Sequence, residues 1–187
     1  MKEINDILNA YKAAEKSGLR TALATVVQLE GSSYRRPGAR MLISEDGKLT
    51  GAISGGCLEG DAMRKALSAI IQQENKLITY DTNDEDDAKI GVQLGCNGLI
   101  HILFEPIKPD TAANPIDILK LIAETRQNAV VVTLFSLENK EQPGTSLIFK
   151  KDKFVSRLPD QISQQLYLGA EKALISEQSG FSLYQIE

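Results

Sequence analysis

Residues 21–30, TALATVVQLE, constrain the fold of this chain more than any other segment, because they form a strand pattern that is apolar on both faces. Such a strand is typical of a sheet that is covered on two sides. Apolar residues recur at helical spacing over 4–14, and a second helix is predicted over 58–73. With 42% hydrophobic residues the chain can bury a core. The sequence therefore predicts an α/β fold in which a mixed sheet is covered by helices.

Further strands follow the first one. Residues 40–44 and 48–54 are predicted to form a hairpin, since the turn 45–47 contains Asp-Gly, a strong tight-turn signal. Short strands are also predicted over 76–81 and 99–105. The first part of the chain thus has the order helix, strand, hairpin, helix, strand.

The rest of the chain repeats this order. Helices are predicted over 116–126 and 159–176, and strands over 129–138, 145–150, 154–157 and 181–186. The tripeptide Asp-Ile-Leu stands at the start of both halves, at 6–8 and 117–119. An internal duplication is one interpretation, and coincidence of a common element order is the other. We expect a motif-bearing domain over 1–109 and a second α/β segment over 110–187, a degenerate repeat that shares the same sheet.

The charge of the chain limits its partners and compartment. A net charge of −4 disfavours nucleic acid as the main partner, because phosphate backbones need clustered Lys and Arg. No apolar stretch reaches the length of a membrane span, and residues 1–16 do not resemble a signal peptide. A cytoplasmic protein is predicted, in which Cys57 and Cys96 stay reduced. The single histidine, His101, is interpreted as a packing residue, and zinc would need more Cys or His ligands.

The segment 54–61, SGGCLEGD, has a pattern typical of an anion site. Gly55 and Gly56 between a strand and a helix allow backbone N–H groups to point into one concavity. The start of the helix adds a partial positive charge, which would stabilise a thiolate at Cys57. A tight turn with a buried cysteine is the alternative.

Two more segments have the same character. Residues 91–98, GVQLGCNG, form a glycine-rich loop around Gly95 and Cys96, and the alternative is a turn with an inert cysteine. Residues 32–40 contain three arginines beside hydroxyl groups, and guanidinium binds phosphate in a bidentate manner. A solvated loop is the alternative there. The second half of the chain has none of these three motifs, which places function in residues 31–60 and 81–98.

Taken in order, GSSYRRPGARM at 31–41, GAISGGCLEG at 51–60, LGCNG at 94–98 and Glu-Pro at 105–106 resemble the N-terminal domain of the xanthine dehydrogenase accessory proteins, the XdhC/CoxI family. The resemblance covers about residues 7–107. Full-length members continue into a nucleotide-binding-like domain with a glycine-rich turn, and no such motif occurs here. The resemblance implies a chaperone rather than a turnover enzyme, one that binds the molybdenum cofactor (molybdopterin) as cargo, protects it during sulfuration and delivers it to the apoenzyme.

The implied partners are a xanthine dehydrogenase-type apoenzyme and a cysteine desulfurase-type sulfurase, and a homodimer is predicted. Thiolate suits a soft metal, so Cys57 and Cys96 are the candidates for contact with molybdenum or for carrying a labile sulfur. The predicted cofactor-binding residues are Ser33, Arg35, Arg36, Arg40, Ser54, Gly55, Gly56, Cys57, Glu59, Gly95 and Cys96. Two other functions stay open: a sulfur-transfer or thiol-redox enzyme that uses both cysteines, and a scaffold that docks the sulfurase and the dehydrogenase.

Overall fold

The strand predicted over 21–30 is the central strand of a five-stranded sheet in the computed structural model, which describes residues 1–32, 35–81, 97–111, 114–124, 127–150, 153–156 and 160–184. This strand, β1 (Thr21–Ser32), lies between β2 (Arg40–Ser44) and β5 (Asn97–Pro106). The outer strands are β3 (Leu49–Gly51) beside β2 and β4 (Lys76–Asp81) beside β5. The pairings described within this sheet are all antiparallel.

Two helices cover opposite faces of this sheet, as expected for a first strand that is apolar on both sides. The helices are α1 (Lys2–Lys16) and α2 (Glu59–Gln72). Met41 and Ile43 of β2 pack in a core cluster with the buried residues of α2. Leu42 and Ser44, which alternate with them and point the other way, line a small pocket together with residues of α1. We call the two sides the α1 face and the α2 face.

A bulge in β1 changes the register of the central pair of strands. Val26 pairs with Ile102, whereas Gln28 pairs with His101, so Val27 is the extra residue. Beyond the bulge, β1 continues to Ser32 beside β5, while β2 has already begun at Arg40 opposite Thr25. The strands β1, β5 and β4 therefore extend past the end of β2 and β3.

The second half of the chain forms a smaller sheet with its own helices. After α3 (Pro115–Ala123), the strands β6 (Val130–Leu134), β7 (Gly144–Lys150) and β8 (Lys153–Ser156) pair in the order β6-β7-β8, and α4 (Asp160–Ser176) follows. Asn114 caps α3 by accepting a hydrogen bond from the N–H of Asp117 at 3.1 Å. Leu147 and Phe149 pack with Leu166 and Ala170 of α4.

Residue contacts divide the chain into two compact units. One contains residues 1–108 and 135–144, and the other contains 109–134 and 145–187. The α/β fold class is confirmed, but the described strand pairings are antiparallel, where the sequence predicts a mixed sheet. The order helix, three strands, helix occurs in both halves. The division into domains at 109/110 and the duplication itself stay predictions.

Further details differ from the expected arrangement, and the strand predicted over 48–54 covers only Leu49–Gly51. The described strands form two sheets, not one shared sheet. The strand predicted over 129–138 ends at Leu134, because Ser136 Oγ accepts hydrogen bonds from the N–H groups of Glu138 (3.2 Å) and Asn139 (2.9 Å) and so turns the backbone. Residues 181–184 lie outside any strand, although the sequence predicts one over 181–186.

Candidate functional site

Ser54 organises the glycine turn that joins β3 to α2. Its side chain is buried, with 4% of its surface exposed. Ser54 Oγ accepts hydrogen bonds from the N–H groups of Gly56 (3.2 Å) and Leu58 (3.1 Å) and donates to the carboxylate of Glu59. That carboxylate also accepts from the N–H of Ser54 at 3.0 Å. Ser54 and Glu59, both predicted to bind a cofactor, are thus hydrogen-bonded to each other, and together they fix the turn.

Cys57 lies at the end of this turn, directly before α2. Its side chain is half-buried, packs against the core of the α2 face and takes part in no described disulfide. No described side chain caps the first turn of α2, so backbone N–H groups remain available at this point. Gly56 has φ +111°, which an L-residue rarely adopts, so this turn requires glycine for its backbone. Gly55 and Gly56 are both exposed.

The first turn of α2 is fixed over the extended strands by Asp61. This buried carboxylate accepts a hydrogen bond from Tyr80 Oη at 2.8 Å and from Arg64 at 2.9 Å. Tyr80 pairs with Ile100 of β5, and Asn97 begins that strand three residues earlier, about 10 Å along it. The Cys57 end of α2 is therefore directed over the part of β5 that follows Cys96 in sequence.

The predicted arginine cluster does not join Cys57. The guanidinium of Arg35 donates to Glu3 of α1 at 2.5 Å and to the carbonyl oxygen of Ala52 at 3.2 Å. Arg40 alternates with Met41 in β2, so its side chain lies on the α1 face, whereas Cys57 packs on the α2 face. The sheet therefore separates Arg40 from the thiol, and Arg35 is held by Glu3 and Ala52. Arg36 is exposed in the loop between β1 and β2.

Three of the predicted site residues, Ser33, Gly95 and Cys96, lie outside the described residues. Within the described ranges, no group of three or more His, Cys, Asp or Glu side chains is arranged to hold a metal ion. No helix in that part of the chain has the length and apolar character needed to span a membrane.

Sequence reasoning interprets His101 as a packing residue and misses its polar surroundings. His101 is buried, and its Nδ1 lies 2.9 Å from Thr79 Oγ1. Its Nε2 has no hydrogen-bond partner among the described residues and lies 3.9 Å from the carboxylate of Glu30. Burial lowers the pKa of His101, and the nearby Glu30 opposes that shift. The alternation of β5 places His101 on the α1 face. This alternation could have been used to find the position of His101, but the neighbouring residues of the strand are apolar on both faces and hide it.

The fold and the glycine turn together define a class of protein: an antiparallel sheet between two helices, with a cysteine at the start of the second helix. Residues 14–81 match the profile of the XdhC and CoxI family. The resemblance inferred from the sequence motifs is confirmed over this segment of the chain.

Particular proteins resemble about half of the chain. It is 46% identical over 85 residues to a protein of Bacillus subtilis that is described as a probable xanthine dehydrogenase subunit. It is 31% identical over 102 residues to the molybdenum cofactor insertion chaperone PaoD of Escherichia coli. These matches cover 46% and 54% of this chain but 26% and 31% of the relatives. The chain therefore spans about a third or less of the length of these relatives.

A solved structure extends the likeness to most of the chain. The crystal structure of a xanthine dehydrogenase from Bacillus halodurans matches with a TM-score of 0.65 and 27% identity, over 83% of this chain and 46% of that one. The fold of this chain thus also occurs in a protein with that name.

Proposed function

We propose that this chain acts in the maturation of molybdenum hydroxylases of the xanthine dehydrogenase type, by binding the molybdenum cofactor through the Cys57 turn and assisting its sulfuration and insertion. The observation that carries the proposal is the half-buried thiol of Cys57, positioned by Ser54 at the uncapped start of α2. The similarity to a molybdenum cofactor insertion chaperone supports it.

The residues around Cys57 suit the soft part of such a ligand. A thiolate binds soft metals better than hard ones, and the first backbone N–H groups of α2 would stabilise its charge. Glu59 and Asp61 occupy the same turn, but each accepts hydrogen bonds from protein groups, which reduces their repulsion of an anion. When bound, the cofactor would supply the molybdenum centre and its exchangeable sulfur to the target enzyme.

Fewer arginines are available to bind a ligand at Cys57 than the sequence indicates. Arg35 is bound to Glu3, and Arg40 lies across the sheet from Cys57. In the loop between β1 and β2, this leaves the exposed Arg36 as the candidate for a phosphate group of the cofactor. Cys96 and Gly95 stay proposed members of the site because β5 begins directly after them.

Co-expression with the enzymes of molybdenum cofactor synthesis tests the proposal. The chain is purified as the wild type, Cys57→Ala and Cys57→Ser, and the pterin released from each is measured together with molybdenum. We expect both contents to fall in Cys57→Ala. In Cys57→Ser we expect molybdenum to fall too, because a hydroxyl has nearly the size of a thiol without its affinity for soft metals.

Ser17→Ala serves as the matched control, since Ser17 is exposed at the end of α1, far along the chain from the turn. Its pterin and molybdenum contents should equal those of the wild type. Wild-type protein without pterin, or equal contents in all four proteins, would contradict the proposal. Circular dichroism of each variant separates loss of the site from loss of the fold.

Sulfur transfer through Cys57 is the second candidate function, because the thiol is partly exposed. In that reaction the Cys57 thiolate would take a sulfur atom from the persulfide of a desulfurase, which leaves the desulfurase with a free thiolate. Mass spectrometry of the Cys57 peptide after incubation with a desulfurase and cysteine would reveal a persulfide, a gain of one sulfur. A persulfide without retained pterin would favour this function over cofactor binding.

A further inference from the structure

Among the described residues, four buried polar atoms on the sheet have no hydrogen-bond partner. They are Thr25 Oγ1, Gln28 Oε1, Arg40 Nε and His101 Nε2. Thr25 is 2% exposed and His101 is 4% exposed, so both side chains are more than nine-tenths buried. Buried polar groups in proteins are nearly always paired, so a cluster of unpaired ones requires an explanation.

The register places all four atoms on one face. Thr25 is directly opposite Arg40, and Gln28 is directly opposite His101. Directly opposite residues of paired strands point to the same side, and the two pairs occupy neighbouring positions along β1 on the α1 face. Arg40 Nη1 donates to the carbonyl oxygen of Gly38 at 2.9 Å, and the N–H of Gly38 in turn donates to the carbonyl oxygen of Val26. The guanidinium therefore extends along β1 in the direction of Gln28. We call these four residues the α1-face cluster.

The charges around the cluster do not favour an anion. Arg40 faces the carboxylates of Glu105 and Glu3, and Glu3 also pairs with Arg35. The carboxylate of Glu30 lies 3.9 Å from His101 Nε2. In the described part of the chain, three carboxylates against two guanidinium groups leave no excess of positive charge here. A phosphate would be repelled, whereas a neutral ligand would not.

The cluster offers both kinds of hydrogen-bonding group. Arg40 Nε can only donate, Gln28 Oε1 can only accept, and Thr25 Oγ1 can do either. His101 Nε2 donates when its Nδ1 accepts from Thr79, and accepts in the other tautomer. A neutral group with a donor beside an acceptor satisfies this set, and an N–H next to a C=O in a heterocyclic ring has that pattern.

We propose that the α1-face cluster binds the N–H/C=O edge of a neutral heterocycle, the edge shared by pterins and by guanine-type purines. For the pterin source, this inference rests on the proposed function and extends it to a second contact region across the sheet from Cys57. The four atoms are buried in this conformation, so binding opens the α1 face. Opening is aided because each unpaired atom gains a partner when ligand or water reaches it.

Fluorescence titration tests the cluster directly. The chain contains no tryptophan, so the emission of 6-hydroxymethylpterin is read without interference, and guanine is titrated as a competitor. We expect Thr25→Val and Gln28→Met each to weaken pterin binding about threefold to tenfold, the effect of one net hydrogen bond. If guanine competes with the pterin, the cluster recognises the edge that the two rings share. If guanine does not compete, the site is specific for pterins.

Thr145→Val is the matched control for Thr25→Val. Thr145 is equally buried, but its hydroxyl lies 3.3 Å from Thr133 Oγ1, so it has a partner. Thr25→Val should raise the melting temperature of the free protein, because it removes an unpaired hydroxyl, whereas Thr145→Val should lower it and leave pterin affinity unchanged. Loss of stability in both variants would show that water satisfies Thr25 and would overturn the proposal, as would equal or undetectable pterin binding in all variants.

The two proposals can fail separately. Free hydroxymethylpterin has neither molybdenum nor a dithiolene group, so its titration reports on the α1-face cluster and not on Cys57. Suppose that cofactor retention depends on Cys57 but pterin affinity is the same in the cluster variants and the wild type. That result would support the proposed function and contradict this inference.

Discussion

Replacement of Ser54 by alanine tests whether one hydroxyl positions the Cys57 thiol. The variant loses the bonds from Ser54 Oγ to the N–H groups of Gly56 and Leu58 and to Glu59. Gly56 is exposed, so water replaces its partner at little cost, and Glu59 keeps its bond from the N–H of Ser54. Leu58 is 1% exposed, so its N–H is left buried and unpaired. That single group sets the magnitude, about 2 kcal/mol within a range of roughly 1–3 kcal/mol.

Urea unfolding followed by circular dichroism measures the loss of stability, and alkylation of Cys57 by iodoacetamide, resolved by peptide mass spectrometry, measures its position. We expect Ser54→Ala to unfold at lower urea and its Cys57 to react faster, because the turn no longer holds the half-buried thiol. Ser17→Ala, at an exposed serine, should change neither. If Ser54→Ala unfolded and reacted like Ser17→Ala, the hydroxyl would not anchor the turn, and the positioning role assigned to Ser54 would be wrong.

Two further predictions concern the same sheet. Gly51→Ala should lower the urea midpoint of unfolding more than Gly18→Ala does. Both glycines have positive φ, so both substitutions strain the backbone. A Cβ at Gly51 would also collide with the carbonyl oxygen of Arg40, whereas a Cβ at Gly18 would meet open space. His101 should make the free energy of unfolding depend on pH, because its pKa in the folded protein is lowered from 6.5. The stability that neutral His101 contributes is fully present above about pH 6.5 and is lost as the pH falls toward the lower pKa of the folded state. Because His101 is the only histidine, the slope of melting temperature between about pH 5.5 and 7.5 should flatten in His101→Gln, and an unchanged slope would contradict the assignment.

Local patterns predict the elements well where the local signal and the tertiary contacts agree. The run 21–30 forms β1, Asp-Gly marks the β2–β3 turn, and the helix predicted over 58–73 is α2. Each of these depends on residues close in sequence: alternating burial, a turn glycine, helical spacing. The predicted continuation of β6 is wrong for an equally local reason, since Ser136 hydrogen-bonds to the backbone ahead of it.

The composition of the site is less predictable because it depends on register. Arg40 and Cys57 are both in motifs that suggest anion binding, but only the pairing of β1 with β2 shows that Arg40 points away from the thiol. The extra residue at Val27 has no signature in a run of β-branched residues, and it decides that Gln28 and His101 share a face with Thr25. Ser54 and Glu59 have residue types suited to a ligand, but their mutual hydrogen bonds give them a positioning role.

These faces impose a joint requirement on any ligand that uses both. The soft donor, Cys57, lies with the first turn of α2 on one side of the sheet. The unpartnered donor of Arg40 and the unpartnered acceptor of Gln28 lie on the other side. A single ligand can contact both only around the end of the sheet, where β1 and β5 extend past β2. A metal end and a heterocyclic end several bonds apart would meet that geometry, whereas a compact anion would not. Double substitution of Cys57 and Thr25 therefore decides between one bound molecule and two. If one molecule spans the edge of the sheet, the losses of cofactor affinity caused by the two substitutions are coupled. If two molecules bind, each substitution lowers the affinity of its own ligand only.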